Sequence, residues 1–307
     1  MNVGLLVFEQ ALNGLQLGVM LFLMAAGLTL IFGIMNLVNL AHGSLYMMGA
    51  YIATAFFNWT GSFLAAVALT LPATLVVGVV VEVLALRTLY ERDHLDQVLA
   101  TFGLILFFNE LVSIVWGRAA LYTAVPVALG GYLQILPGLR YPAYRAVIIL
   151  VGLAVAVLLY VVVSRTRLGM LIRAGASNRT MVAALGVNIR LLYTLVFGVG
   201  AALAGLGGLM AGPLYTVQPG MGEEILIEVF VVIVIGGIGS IRGALIGAVV
   251  VGMVDTFGRA FLRPLLGLVV STQAADTAGP ALASILIYLL MAAVLFFRPQ
   301  GLFPTRA

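Results

Sequence analysis

The chain has 307 residues, of which 63% are hydrophobic and only 8% are Asp, Glu, Lys or Arg. Because a soluble domain has about 45–50% apolar and about 25% charged residues, a soluble enzyme and a disordered scaffold are poor fits. The mean hydropathy of +1.20 indicates a lipid bilayer. The chain has no Cys and only two His, which excludes disulfides and thiolate sites and argues against a zinc hydrolase.

Apolar runs of about 20 residues, long enough to cross roughly 30 Å of hydrocarbon, recur along the chain. We predict an all-α polytopic bundle of eight to ten spans, formed as one membrane domain over residues 1–307. The nine candidate spans are 11–34, 37–57, 63–86, 95–116, 142–163, 190–212, 225–241, 243–258 and 281–297. The polar run 37–57 and the glycine-interrupted region 225–258 are the weakest, and we expect one or two broken or re-entrant helices there.

A polar stripe is predicted where the first two spans meet. Residues at three- and four-residue steps share one helix face, and here they are Asn36, Asn39, Gly43, Tyr46 and Ala50, with His42 beside them. Such a stripe faces protein or water rather than lipid. Three roles remain open at this point: hydrogen bonds that hold the bundle together, the lining of a substrate path, and a proton relay through His42.

The arginines predict the orientation. The net charge is +4, every basic residue is Arg, and most lie in short gaps between apolar runs, which is typical of topology signals rather than of nucleic-acid binding. With nine spans and a cytoplasmic C-terminus, the cytoplasmic segments hold Arg87, Arg92, Arg165, Arg167, Arg173, Arg179, Arg190, Arg242, Arg298 and Arg306. The other face holds Arg118, Arg140, Arg145, Arg259 and Arg263. We therefore predict the N-terminus outside and the C-terminus inside.

The longest charged connection, residues 164–190, carries five Arg and no acid. Asn178 is predicted to cap a short helix that ends at Gly186, because Asn favours the N-cap and Gly the position after the last turn. Two interpretations remain open. The segment is either a basic loop that sets topology or a short helix that docks a cytoplasmic partner.

Acidic residues cluster after residue 220. Glu223 and Glu224 suit the first turn of a helix, where acids favour the positive end of its dipole. Glu224 and Glu228 lie one turn apart, and the functional alternative is that one of them lines an outer mouth and meets a substrate ammonium. We expect Glu82 to reach the cytoplasmic surface, and bundle-internal pairs are expected for Glu110 and Asp255.

Glycines at four-residue steps predict close helix contacts. Gly239, Gly243 and Gly247 form one such ladder, and Gly208 and Gly212 repeat the spacing. G-x-x-x-G steps let two helices approach closely. They are evidence for tight packing rather than for transport, because any polytopic bundle uses them.

Four stretches together carry a family resemblance. They are Gly27–Gly43 (GLTLIFGIMNLVNLAHG), Arg173–Asn188 with its Ala183-Ala184-Leu185-Gly186, Val234–Gly243 (VIGGIGSIRG) and Phe297–Phe303 (FRPQGLF). The combination resembles the bacterial branched-chain amino-acid permeases, which are membrane subunits of ATP-binding-cassette importers. The resemblance extends over nearly the whole chain and is greatest to the shorter of the two permease subunits in such systems.

The resemblance implies a transport subunit of the bacterial cytoplasmic membrane that is not itself an enzyme. Its partners would be a second permease chain, two cytoplasmic ATP-binding subunits and an extracytoplasmic substrate-binding protein. ATP and Mg²⁺ would be used by those partners, and no cofactor is expected on this chain, which lacks a G-x-x-x-x-G-K-[ST] loop.

The resemblance also implies roles for residues. The segment with Arg173, Asn178, Ala183, Ala184 and Gly186 would be the helix that couples to an ATPase, although Thr180-Met181-Val182 lacks the Glu common before the alanines. The stretch with Gly236, Gly237, Gly239 and Gly243 would shape the path or its gate. Asn36, Asn39 and Glu224 are candidates for contacting the polar groups of the substrate.

Other functions remain open from the sequence. Related chains handle amides or urea. A secondary transporter driven by ions needs carboxylates in mid-span, whereas the acids here lie mostly near span ends. A channel would work without an ATPase. A membrane-embedded enzyme needs a nucleophile–base pair or a metal cluster, and the sequence contains neither in a recognisable spacing.

Overall fold

The computed structural model describes residues 3–303, which form a helical bundle with one small hairpin. The helices are α1 Val3–Met35, α2 His42–Thr60, α3 Phe63–Val81, α4 His94–Trp116, α5 Ala143–Arg165, α6 Arg167–Ser177, α7 Arg179–Ala184, α8 Ile189–Ala211, α9 Met221–Gly236, α10 Ile241–Leu266 and α11 Thr272–Phe297. Helix α3 continues through a π turn, Glu82–Leu86, and a 3₁₀ turn, Arg87–Leu89. Strands β1 Tyr132–Leu136 and β2 Leu139–Pro142 pair antiparallel.

Within residues 3–303, seven helices are long and apolar enough to cross a membrane: α1, α3 with its extension, α4, α5, α8, α10 and α11. Each corresponds to one predicted span. The two remaining candidates, 37–57 and 225–241, correspond to α2 and α9. Both lie in the regions predicted as weakest, 37–57 and 225–258, although α10 of the second region is long and apolar enough to span. Helix α9 has only 16 residues. The prediction of a polytopic helical bundle is confirmed.

Helix α1 forms the centre of the bundle. Its residues 18–31 are all buried, and it packs along α10, α8 and α5. Glycines allow the close approach to α10, since a Cβ added at Gly18 would lie only 2.8 Å from the Cα of Val249. Helices α2 and α9 complete the inner layer around α1 and α8, and α3 packs against α8 and α2 with most of its surface exposed.

The chain breaks between α1 and α2 inside the protein. Asn36 has a left-handed backbone, with φ 51°, and α2 begins only at His42. The ring of His42 lies 3.2 Å (Nε2) from the carbonyl oxygen of Met24, which precedes the end of α1 by three turns or roughly 16 Å. Helix α2 therefore begins deep in the bundle, where the backbone of Gly43 meets Gly222 at the start of α9.

This break corrects the predicted stripe. Asn36 and Asn39 precede the helix, so they do not share a face with Gly43, Tyr46 and Ala50. The prediction was wrong because the three- and four-residue spacing holds only if the backbone is helical throughout. The left-handed turn at Asn36 interrupts that backbone.

The second predicted break is confirmed between α9 and α10. Gly237 and Gly239 have φ of 104° and 82°, and the chain reverses through the turn 237–240. The C-terminal segment covers this turn: the amides of Leu302 and Phe303 donate to the carbonyls of Ile235 and Gly236, at 2.9 and 3.0 Å. These bonds satisfy the last carbonyls of α9, which a helix end leaves unpaired.

The glycine ladders are correct in part. Gly243 and Gly247 face the backbone of α9, at Gly236 and Val232. Gly239 lies in the turn instead and meets Gly33 of α1. Gly208 packs on the backbone of α2, whereas Gly212 comes after the end of α8 and its nearest side-chain neighbour is Thr123, 3.5 Å from an added Cβ. Gly239 and Gly212 were therefore misassigned, because both lie outside the helices that the ladders require.

The helices alternate in direction and group the arginines at two ends. The end of the bundle where α5 stops and α8 starts is here called the arginine face. It carries nine of the ten arginines that the sequence analysis assigned to the cytoplasmic side. The tenth, Arg306, lies outside the described residues. The opposite face carries the hairpin and the other five arginines, at the start of α5 and the end of α10 among other places.

Candidate functional site

A cavity of about 760 Å³ opens between α1, α9 and α10 toward the opposite face. We call it the α1–α9–α10 cavity. Its walls come from the first half of α1, the first two turns of α9 and the second half of α10, with Arg145 of α5 and the loop before α9 at its edge. The crossing of α9 and α10 at Gly236 and Gly243 brings these two helices together near the arginine face, and the cavity lies between their other ends.

Three of the six residues predicted for the path line this cavity: Tyr46, Glu224 and Glu228. Tyr46 is buried, Glu228 is partly buried and Glu224 is exposed at the entrance. The one-turn spacing of the two acids on α9 therefore places both carboxylates on the cavity side of that helix.

The other three lie elsewhere. Asn36 lines two cavities at the arginine face, of about 570 and 590 Å³. Asn39 and His42 are fully enclosed in the bundle. Neither side-chain polar atom of Asn39, nor Nδ1 of His42, has a hydrogen-bond partner among the residues described. The six predicted path residues therefore lie in three places. Three line the α1–α9–α10 cavity, Asn36 lies at the opposite end of α1, and Asn39 and His42 lie in the packed region between.

An ion pair on α10, whose basic member was not predicted from the sequence, lines the same cavity as Glu228. The guanidinium of Arg259 donates to both carboxylate oxygens of Asp255, at 2.8 and 2.9 Å. Asp255 was expected to be paired, and it is. The partner could have been found from the sequence, because residues four apart on a helix are neighbours.

Tyr215, in the loop before α9, reports the electrostatics of the cavity. Partial burial raises the pKa of this side chain, and the carboxylates of Glu228 and Asp255 raise it further. Arg145 and Arg259 oppose that rise. Charges of both signs from α5, α9 and α10 therefore act on the same hydroxyl.

The cavity of about 590 Å³ at the arginine face lies between the end of α1, α6 and the α9–α10 turn. Gly239 lines it together with Gly33, Ile238 and Arg173. We call it the arginine-face cavity. It and the α1–α9–α10 cavity lie at opposite ends of α1, and the buried residues 19–26 separate them along that helix.

The short helix predicted in the basic connection is confirmed as α7. The side-chain oxygen of Asn178 accepts a hydrogen bond from the amide of Met181 at 2.9 Å, and Gly186 adopts φ 84° just after the helix. Val182 is buried and anchors α7, whereas Ala183, Ala184 and Leu185 are exposed. An apolar surface that no residue of the described part of the chain covers therefore projects from the arginine face.

Arg173 has a contact within the chain. It lies on α6, and its guanidinium donates to the carbonyl oxygen of Val163 near the end of α5. The structure thus places it at the α5–α6 junction, apart from the exposed residues of α7.

Glu82 differs from its prediction. Its side chain is fully buried, in a network with Arg87 (3.0 Å), Tyr90 (2.8 Å) and Thr194 of α8 (2.8 Å). The expectation that it reaches the surface was wrong, because the π turn carries it toward α8. Glu110 was also misassigned, since it pairs with Arg118 at 3.5 Å on an exposed surface rather than inside the bundle.

Comparison with known proteins identifies the family. A family model described as the permease component of branched-chain amino acid transport systems matches residues 10–295. The chain is 30% identical over 308 residues to the high-affinity branched-chain amino acid transport system permease protein BraD of Pseudomonas aeruginosa, with 96% of this chain and 94% of the relative covered. It is 29% and 28% identical to LivH permeases of Salmonella typhimurium and Escherichia coli, each covering 95% of this chain and 96% of the relative.

The chain belongs to this permease family. No solved structure matches it. The permease is a multi-pass membrane protein, in agreement with the seven long apolar helices among residues 3–303. The resemblance deduced from the four sequence stretches is confirmed, and the match extends over nearly the whole bundle.

Proposed function

We propose that this permease forms the membrane path of an ATP-driven importer for branched-chain or other hydrophobic amino acids. The observation that carries the proposal is the exposed, capped helix α7 on the arginine face of a bundle that belongs to this family. The partners are a second permease chain, two ATP-binding subunits and a substrate-binding protein outside the membrane. ATP and Mg²⁺ are held by the ATP-binding subunits, and this chain hydrolyses nothing.

The arginine face is proposed to be cytoplasmic, in the cytoplasmic membrane of a bacterium, with the C-terminus on the same side. Nine described arginines at that end, against five at the other, support this orientation by the positive-inside rule. The α1–α9–α10 cavity then opens outward, toward the binding protein, and the arginine-face cavity opens toward the cytoplasm.

Helix α7 is proposed to seat on an ATP-binding subunit. Its small exposed residues, Ala183 and Ala184, permit close backbone approach by a partner groove. The buried Val182 and the adjoining α6 transmit the resulting force to the bundle. ATP drives transport only if the ATP-binding subunits contact α7 differently in their two states, since a ligand shifts an equilibrium by its differential affinity.

Transport is proposed to alternate between the two cavities. The buried middle of α1 separates them, so movement of α9 or α10 against α1 is needed to pass a substrate. The glycine contacts at Gly236, Gly243 and Gly247 are the proposed pivot, and the turn with Gly237 and Gly239 shapes the inner gate. Asn39 and His42, enclosed beside the start of α2, are candidates for contacting the substrate as it passes.

The test is uptake of radiolabelled leucine by proteoliposomes that contain the complete importer. Ala184→Arg should reduce co-purification of the ATP-binding subunits and uptake at least tenfold, because the larger charged side chain blocks the α7 surface. The matched control is Ala119→Arg, which alters an exposed alanine beyond α4 on the opposite face.

Three results would overturn the proposal. Wild-type association and uptake in the Ala184→Arg variant would refute docking at α7. Uptake by the isolated chain under an ion gradient would establish a secondary transporter. Uptake of amides or urea in place of leucine would move the permease to another substrate class.

A further inference from the structure

The charges of the α1–α9–α10 cavity are unequally paired. Asp255 and Arg259 form an ion pair in which Nε of Arg259 donates to both carboxylate oxygens, at 2.9 and 2.8 Å. Glu228, by contrast, receives no hydrogen bond and no ion pair from the residues described. It is nevertheless partly buried at the cavity wall. A partly buried carboxylate without a partner carries a cost in free energy that a cationic ligand would relieve.

The positive counterpart is Arg145 at the start of α5. Within the described part of the chain its guanidinium has one hydrogen-bond acceptor, the neutral side-chain oxygen of Asn13 at 2.7 Å. Arg145 also lines the cavity. An Arg fork binds a carboxylate through two parallel bonds, and this guanidinium has donors left for one.

Glu224 does not need a ligand in the same way. It lies one turn before Glu228 on α9 and is exposed at the cavity entrance, where water solvates it. Glu228 is therefore the partly buried acid of the cavity without a hydrogen bond or ion pair, and Arg145 is the cavity base without an acidic partner among the described residues, whereas Arg259 is paired with Asp255. Tyr215, Glu228 and Arg145 line the same cavity.

We propose that Glu228 and Arg145 bind the α-ammonium and α-carboxylate groups of a free amino acid in this cavity. The inference rests on the transport function proposed above and assigns its outward binding site. The apolar side chain of the ligand packs against Leu17, Met221 and Ile225, which form the apolar part of the same wall. A simple amine or a simple carboxylic acid would neutralise only one of the two charges, and urea, which is uncharged, would neutralise neither.

Because the permease contains no Cys, one introduced thiol reports on the cavity. Thr256→Cys places it on the α10 wall. In the complete importer, the rate of its modification by a methanethiosulfonate reagent should fall when leucine is added. Leucinamide, which lacks the carboxylate, and isovalerate, which lacks the ammonium, should give no protection at the same concentration.

Two charge-removing variants test the assignment. Glu228→Gln and Arg145→Gln should each raise the leucine concentration for half-protection at least tenfold, while Glu228→Asp, which keeps the charge, should raise it less. The matched controls are Glu110→Gln and Arg118→Gln, which remove an exposed pair on another surface.

The outcomes separate the two proposals. Unchanged protection in both Gln variants, or equal protection by isovalerate and leucinamide, overturns the zwitterion site. Protection that depends on Glu228 and Arg145, in an importer without ATP-driven leucine uptake, supports the site and refutes the transport function. A Gln variant that does not assemble is replaced by Glu228→Asp, whose half-protection concentration must still rise for the site to stand.

Discussion

Helices α8 and α5 are equal in length and opposite in environment. Each has 23 residues, but in the most apolar 18-residue segment 78% of the residues of α8 are buried, against only 17% of those of α5. The mean hydropathy of that segment is nevertheless lower in α8, at 1.8 against 3.2. Hydropathy therefore does not identify the interior of this bundle.

Glycine content explains why α8 is buried in the bundle whereas α5 is largely exposed. Helix α8 has five glycines and α5 has one. All five glycines of α8 face the backbones or side chains of α1, α2 or α3. Helices associate in lipid through close packing, which small residues permit, because lipid is as apolar as a leucine side chain. Small residues mark the inner helices, and large apolar residues mark the outer ones.

The largest loss of stability is expected when a side chain is introduced at a glycine in a contact between inner helices. A side chain at Gly208 collides with the backbone of α2 at Tyr46, which cannot move without displacing the helix. Gly208→Leu should destabilise the bundle by more than about 3 kcal/mol, beyond ordinary overpacking, as measured by the midpoint of unfolding in sodium dodecyl sulfate. Gly103→Leu on α4 is the control, since nothing lies within 4 Å of its added Cβ. Equal midpoints would show that glycine does not distinguish the two layers.

A smaller loss of stability is expected when the buried polar network around Glu82 is disrupted. Glu82→Ala leaves Arg87, Tyr90 and Thr194 without their acceptor, and removal of one partner from a buried pair costs about 3 kcal/mol at the lower end of the usual range. The lower end applies because Arg87 is 35% exposed. The comparison is Glu110→Ala, which breaks an exposed pair worth about 1 kcal/mol or less. If both variants unfold at the wild-type midpoint, the network around Glu82 adds no stability.

The smallest loss of stability is expected when a side chain on an outer helix is truncated. Leu158→Ala removes a side chain that is 59% exposed on α5, and its free energy of unfolding should stay within about 0.5 kcal/mol of wild type. Leu21→Ala on α1 removes a fully buried side chain and should cost about 2–5 kcal/mol. The same unfolding assay applies to both. A large loss in Leu158→Ala would mean that another protein, rather than lipid, covers that face of α5.

The cavity could be predicted only in part from the sequence. Glu224 and Glu228 were identified because both lie on one helix at a regular spacing. Arg145 was missed, since it approaches them from α5 and no local spacing relates the two positions. Asn36 and Asn39 were placed on the wrong surface, because a single left-handed residue redirects the chain.

Contacts between distant segments account for the remaining errors. Gly239 was assigned to a ladder, although the turn that contains it packs on α1 and under the C-terminal segment. Glu82 was expected at the surface, although Thr194, more than 100 residues later, helps to enclose it. Local patterns contain no information on such pairs.

The sequence by itself determined the membrane environment, the positions of the long helices and the short capped helix α7. These follow from hydropathy and capping, which act between residues close in the chain. Only the tertiary structure decided which helices lie inside, where α2 and α9 begin and which charges meet in the cavity. Those features depend on the close approach of backbones at glycine contacts, and that approach exists only when the whole bundle is packed.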